Sequence, residues 1–311
     1  MLTCPSDVQT QARQGQPPVV TFNAPVAQGG AAPVAVTCTP PSGSQFSVGS
    51  TRVTCTATDA ERRAASCGFS VIVDAVPTLS EVSFLAFGDS MTGGGTWDPV
   101  SLTIKLDQTV SYPYKLRELL NARYIDQQVV VVNAGVGGER AEPAGRRRLP
   151  QVLDTERPDV LLLLHGANDL LCAANQSCGG GNPFSAIPII TRALDDMVTA
   201  AQSRGVQVLL ATFPPQDGTR NRGGGAPAVP DLNAAIAQLA GRKGAVLVDL
   251  FGGLGGTPLP FISVDGLHPT PSGFEKMAEI WFDVIQREFE RPSPTSAAPS
   301  LEVRRPATAI R

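Results

Sequence analysis

The sequence predicts an α/β protein in two parts: a parallel sheet with helices on both faces, preceded by a small all-β sandwich. Three observations carry this expectation. After residue 80, continuous apolar runs of strand length alternate with helical stretches, the pattern of a parallel sheet buried on both sides. Before residue 76, short β-branched runs are divided by Pro, Gly and Ser, with no helical periodicity between them. The 311 residues suffice for two domains, and 42% hydrophobic with 17% charged residues is a globular composition.

Taken in order, Val19–Phe22, Val34–Thr39, Thr51–Thr58 and Cys67–Val73 read as the strands of the first part, residues 1–76. The turn Pro40-Pro41-Ser42-Gly43-Ser44, followed by Phe46-Ser47-Val48-Gly49, connects two paired strands and sets Cys38 opposite Cys55. Cys4 and Cys67 then remain to tie the first strand to the last. Asp74–Ser80, with Pro77, is the joint to a second domain over residues 80–291. Strands are expected there at Val82–Phe87, Val129–Val132, Val160–His165, Val206–Thr212 and Ala245–Val248. Helices are expected at Tyr112–Ala122, Ala141–Leu149, Ala186–Ser203, Asp231–Arg242 and Ser272–Glu290. Residues 292–311, rich in Pro, Ser, Thr and Ala, are expected to be a disordered tail.

Six cysteines indicate the compartment. Four fall in the first 67 residues, while Cys172 and Cys178 flank a short polar stretch ahead of a glycine run. None forms a C-x-x-C pair and only two histidines are present, so a zinc site is poorly supplied. An even, clustered count reads as Cys4–Cys67, Cys38–Cys55 and Cys172–Cys178 bridges, hence an oxidising compartment, secreted or periplasmic. Met1 runs at once into Leu2-Thr3-Cys4-Pro5, as expected of a mature sequence without its signal peptide. A net charge of −3 gives no reason to expect nucleic acid or an anionic membrane as partner. No apolar run reaches the ~18–20 residues of a membrane span.

Functional groups of an open parallel sheet collect beyond the carboxyl ends of its strands. Four segments lie there: Gly88-Asp89-Ser90, Asn133 to Glu139, Gly166-Ala167-Asn168-Asp169, and Asp265-Gly266-Leu267-His268. A serine nucleophile needs a base near neutral pKa, and His165 and His268 are the two candidates. His165 ends a strand that reads as buried, so a structural role is expected of it. His268 stands three residues after Asp265 in a Gly- and Pro-bounded turn, where a carboxylate can orient its ring. Ser90 can cap a following helix and also serve as nucleophile, since a helix N-terminus offers amides to a developing oxyanion. Gly138 brings a second amide close, with Gly137 as an alternative, and Asn168 adds a side-chain donor. Trp97, Phe184, Phe213, Phe251 and Phe261 occupy the same strand-end loops, as candidates to line an apolar acyl or aryl pocket or to pack the loops onto the sheet.

Two resemblances attach to these motifs. On Cys4-Pro5, the Pro-Ser-Gly-Ser run, Phe46, Val48-Gly49, Val53 to Asp59 and Cys67-Gly68-Phe69, the N-terminal part resembles a hyalin-repeat (HYR) module, which implies an immunoglobulin-like sandwich. On its four strand-end segments, residues 80–290 resemble the SGNH (GDSL-type) hydrolases, which implies a flavodoxin-like three-layer fold. The resemblance implies Ser90 as nucleophile and first oxyanion donor, Gly138 and Asn168 as the other donors, and Asp265 and His268 as the Asp-x-x-His pair, the carboxylate orienting the base. Met91 departs from the leucine usual after the serine. The implied reaction is acyl transfer to water without metal or organic cofactor, by a secreted serine carboxylic-ester hydrolase acting on short-chain acyl or aryl esters. A polysaccharide O-deacetylase is the alternative, its ester borne on a polymer. A non-catalytic adhesion protein with a vestigial hydrolase domain is disfavoured by the intact Ser/Gly/Asn/Asp/His set. The N-terminal module is expected to be dispensable for the chemistry and to dock to a polymer or surface.

Overall fold

The structure, a computed structural model, describes residues 1–13, 16–178 and 180–291. The expected tail at 292–311 lies outside the described residues. The chain divides into two compact units, one spanning Met1–Thr78 and the other Leu79–Glu290.

The first unit is built on a four-stranded sheet of β1 (Val8–Ala12), β2 (Ala35–Thr39), β3 (Gly49–Thr58) and β4 (Ala64–Ala75), in the order β1-β4-β3-β2. β2, β3 and β4 run antiparallel, whereas β1 joins β4 in parallel. Alternation in β3 and β4 turns Val53, Cys55, Phe69, Val71 and Val73 inward, onto Phe46 and Val20. Cys38 lies directly opposite Cys55 in the register, and the Cys38–Cys55 and Cys4–Cys67 bonds are both formed. β1, too polar to read as a strand, owes its place to pairing with β4.

The second unit holds five strands, β5 (Ser83–Gly88), β8 (Val130–Gly135), β9 (Val160–Leu164), β10 (Gln207–Ala211) and β11 (Val246–Val248), all parallel. Their spatial order is β8-β5-β9-β10-β11, the 2-1-3-4-5 order of flavodoxin-like sheets. Every residue of β9 is buried, as a strand covered on both faces requires. Helices α2 (Tyr112–Arg123) and α8 (Pro271–Phe289) pack on each other, with Tyr112 stacked on Trp281 at 5.7 Å, and the single turn α7 (Leu250–Gly253) packs on α8. Helices α3 (Arg146–Glu156), α5 (Ile187–Gln202) and α6 (Val229–Lys243) form a second packed set. Caps set the ends of several helices. Thr270 Oγ1 accepts the Gly273 amide before α8, Ser111 Oγ accepts the Tyr114 amide before α2, and Gly244 at φ +63° closes α6.

Helix α3 corrects the expectation of a helix at Ala141–Leu149. It starts at Arg146, because Glu142 precedes Pro143 and is held extended at φ −111°, ψ 124°. Among the described residues no helix is long and apolar enough to cross a membrane.

Candidate active site

The topological switch point of this sheet falls between β5 and β9, where connections leave in opposite directions and open a crevice. At Gly88, the last residue of β5, an ideal Cβ would lie 2.0 Å from the Leu164 carbonyl oxygen and 2.4 Å from Thr92 Oγ1. Only glycine lets the two strands close there. Asp89 then caps the single helical turn α1 (Ser90–Gly93): its Oδ1 accepts the Met91 amide at 3.1 Å. Its Oδ2 accepts the Ala167 amide at 3.1 Å, across the switch point, at the start of α4 (Ala167–Ala174).

Ser90, 5% exposed, donates from Oγ toward His268 Nε2 at 2.8 Å. His268 donates from Nδ1 to Asp265 Oδ2 at 2.6 Å. Asp265 Oδ1 accepts from Ser263 Oγ at 2.6 Å and from the Leu267 and His268 amides at 3.1 and 3.0 Å. Burial would raise the Asp265 pKa, but the bonds from His268 and Ser263 outweigh it and hold the carboxyl at about 2. The loop bearing Asp265 is itself held: the Arg222 amide donates to the Asp265 carbonyl at 2.8 Å and the Asp217 amide to the Gly266 carbonyl at 2.9 Å.

The loop after β8 supplies the other side. Gly138 adopts φ +77° with open space where a Cβ would stand, while Gly137 is packed on Leu106. Asn168, on α4, donates one Nδ2 hydrogen to the Glu139 carbonyl at 2.9 Å, and its second has no protein acceptor among the described residues. Gly138 and Asn168 line one cavity with Arg140, Leu171, Cys172, Asn175 and Cys178, about 530 Å³ in volume.

Ser90 Oγ meets His268, whereas His165 is engaged elsewhere. Its Nε2 donates to Glu139 Oε2 at 3.0 Å and its Nδ1 lies 3.7 Å from Asp89 Oδ2. Burial depresses its pKa, but the two carboxylates more than compensate and raise it to about 9.

The aromatic candidates divide between the alternatives expected of them, and one disulfide expectation requires correction. Phe213 is fully buried, its backbone bonded in both directions to the Asn233 side chain and its ring packed near Gly166. Phe251 and Phe261 pack against the sheet core, and Phe184 is 43% exposed on a 3-10 turn. None of these four, nor Trp97, lines the cavity shared by Gly138 and Asn168. Position at a strand end fixes a residue's neighbourhood but not its side chain's direction. The Cys172–Cys178 bridge is not formed. Cys172 remains a thiol inside α4, its Sγ 3.9 Å from Arg140 Nη1, whereas Cys178 ends a separate 3-10 turn beyond the extended Asn175. A disulfide needs facing Cβ vectors as well as short separation.

A hairpin of β6 (Gly95–Asp98) and β7 (Thr103–Leu106) also borders the site, unanticipated from sequence. An ideal Cβ at Gly95 would lie 2.9 Å from Ser90 Cβ and 3.0 Å from His268 Cδ2, so the hairpin closes directly over the pair. Trp97, two residues on, shares that face of the strand. The run Gly93-Gly94-Gly95 is the signal in the sequence for such a close approach.

Comparison with known proteins places these features in a group. The profile of the GDSL-like Lipase/Acylhydrolase family matches residues 86–276, and that of the HYR domain matches residues 1–73. An arylesterase of Vibrio mimicus is 28% identical over 198 residues, covering 63% of this chain and 84% of the relative. The crystal structure of a lipase/acylhydrolase from Enterococcus faecalis superposes with a TM-score of 0.54 at 23% identity, over 67% of this chain and 97% of that one. Est24, a carbohydrate acetylesterase from Sinorhizobium meliloti, gives 0.53 at 18% identity, over 66% and 98%.

Proposed function

The chain belongs to the GDSL-like lipase/acylhydrolase family and is a carboxylic-ester hydrolase, and we propose that it is a secreted serine esterase acting on short-chain acyl or aryl esters. The observation that carries the mechanism is the line Ser90–His268–Asp265, with hydrogen bonds of 2.8 and 2.6 Å. His268 Nε2 takes the Ser90 hydroxyl proton as Oγ attacks the ester carbonyl carbon. The Asp265 carboxylate stabilises the imidazolium that forms. The Ser90 and Gly138 amides and the Asn168 side chain receive the oxyanion. His268 then protonates the leaving alcohol or phenol, and water repeats the sequence on the acyl-enzyme. Similarity to an arylesterase supports the aryl class. The cavity of about 530 Å³ beside Gly138 and Asn168 is of the size that holds a small ligand. Two disulfides support an oxidising destination.

The test is a panel of p-nitrophenyl esters of graded chain length, phenyl acetate and acetylated xylan. We expect the highest kcat/KM on acetyl, butyryl and phenyl esters. Turnover of acetylated xylan with negligible activity on every small ester would overturn that specificity in favour of polymer deacetylation. Ser90→Ala should lower kcat by about 10³–10⁶-fold, and a fluorophosphonate should label wild type at Ser90 but not the variant.

A further inference from the structure

A second row of charge lies behind the Ser90–His268–Asp265 line. Arg148, on α3, grips Glu139 with two bonds, Nε to Oε1 at 2.8 Å and Nη2 to Oε2 at 2.6 Å. Its guanidinium also covers the Phe87 ring at 4.1 Å. Glu139 Oε2 meets His165 Nε2 at 3.0 Å. The other ring nitrogen of His165 is buried without a hydrogen-bond partner and faces Asp89 Oδ2 at 3.7 Å. The side chains of His165 and Asp89 are wholly excluded from water and that of Glu139 is 8% exposed. With a neutral imidazole this row would bury two carboxylates against one guanidinium. With an imidazolium the charges alternate, Arg148, Glu139, His165, Asp89, and balance.

Each carboxylate in the row is attached to a proposed oxyanion donor. Glu139 follows Gly138, and its carbonyl fixes Asn168 Nδ2 at 2.9 Å. Asp89 precedes Ser90 and accepts both the Met91 amide, in the nucleophile's turn, and the Ala167 amide, next to Asn168. His165 is thus the piece that joins the three segments. The other charged group facing it is Asp169 on α4, whose oxygens accept the Ala141 and Glu142 amides and whose pKa is raised by burial. Among the described residues it also meets the Phe87 ring at 5.7 Å, Gly145 and, from α5, the region of Met197, none of which titrates.

We propose that His165 is a positioning residue for ester hydrolysis: as an imidazolium between Glu139 and Asp89 it holds the Ser90, Gly138 and Asn168 donors at their mutual spacing, and turnover falls when the ring loses its proton. This rests on the reading of Ser90 as nucleophile. The raised affinity of His165 for its proton, to a pKa of about 9, agrees with the geometry. Removing one oxyanion donor costs roughly 10²–10³-fold in kcat, so loosening the set together is worth about 10–100-fold.

The experiment measures kcat and KM on p-nitrophenyl acetate from pH 6 to 10.5 for the full chain and for His165→Gln, which keeps a donor to Glu139 without the charge. Wild-type kcat should fall at least tenfold as pH passes through about 9, with KM changing less than threefold. His165→Gln should have kcat lowered about 10–100-fold at pH 7.5, unchanged KM, and no alkaline limb. Histidine-selective ¹⁵N NMR of wild type, which needs no variant, should show a ring titrating near 9. A flat wild-type profile, a His165→Gln protein with wild-type kcat, an alkaline limb persisting in that variant, or both rings titrating below 8 would each overturn the proposal. Fluorophosphonate labelling separates the failures. If Ser90 is not labelled, the nucleophile reading and this inference fall together; if Ser90 is labelled and any of those results is seen, this inference alone falls.

Discussion

Asp265 satisfies four donors with two oxygens, and it is the residue where the site is most exposed to a one-atom change. Its folded pKa, about 2, lies below the unfolded carboxylate value of about 3.9. Its contribution to stability is therefore complete above about pH 4 and is lost as pH falls through about 2. His165 has the opposite sign. Its folded value of about 9 exceeds the unfolded value of about 6.5, so its contribution is complete below pH 6.5 and gone above about 9. Asp265→Asn replaces one acceptor by a donor, which opposes either His268 Nδ1–H or the three donors on Oδ1. We expect kcat to fall about 10³–10⁴-fold and stability by about 1–3 kcal/mol, read from p-nitrophenyl acetate kinetics and the Tm. A kcat within tenfold of wild type would remove Asp265 from the mechanism. Ser90, Gly138 and Asn168 are readable as candidates because each sits in a short Gly-bounded segment at a strand end, and Asp265 and His268 because they stand three residues apart around Gly266. The row Arg148–Glu139–His165–Asp89 is not, since its members are separated by up to dozens of residues and no local pattern encodes their meeting.

Among the elements, β5 governs how close the Ser90 turn comes to α4, which carries Asn168. Gly88→Ala would force a methyl into the Leu164 carbonyl, which belongs to β9 and cannot rotate away. We expect a loss of about 3 kcal/mol or more and, in whatever folds, a lowered kcat, because Ser90 and Asn168 hang from the two strands being pushed apart. Gly241, on α6, is the control. An ideal Cβ there meets nothing within 4 Å, so Gly241→Ala should stabilise by about 0.5–1 kcal/mol and leave kcat unchanged. Thermal denaturation of the pair decides it; a Gly88→Ala protein as stable as wild type would contradict the packing. The five parallel strands are readable from their apolar runs, Val160–Leu164 above all. Helix α4 is not, because Gly166-Ala167-Asn168-Asp169 reads as a loop motif although Gly166, at φ +119°, is the start of a helix. The β6–β7 hairpin escapes a reading of the sequence for a related reason: its strands are four residues each and only partly buried, too short and polar for an alternation to register.

For the whole molecule, the placement of the cross-links matters most. Both disulfides lie within Met1–Thr78, while Ser90, His268 and Asp265 lie within Leu79–Glu290. Each bridge stabilises its unit by about 2–4 kcal/mol. A reductant should therefore lower the melting transition of the first unit while leaving small-ester turnover within a few-fold, and a chain beginning at Leu79 should behave likewise. Loss of turnover in parallel with that transition would mean that the HYR module helps to shape the active site. The catalytic unit itself is closed by a contact of another kind. Ser90 and His268 are 178 residues apart in sequence, nearly the full span of the unit, yet one hydrogen bond joins them. A refolding chain recovers helical signal from contacts a few residues apart, but it recovers ester turnover only after that loop has closed. Regained activity thus timestamps the completion of the long-range topology, so this enzyme carries in its own active site a clock for the last stage of its folding.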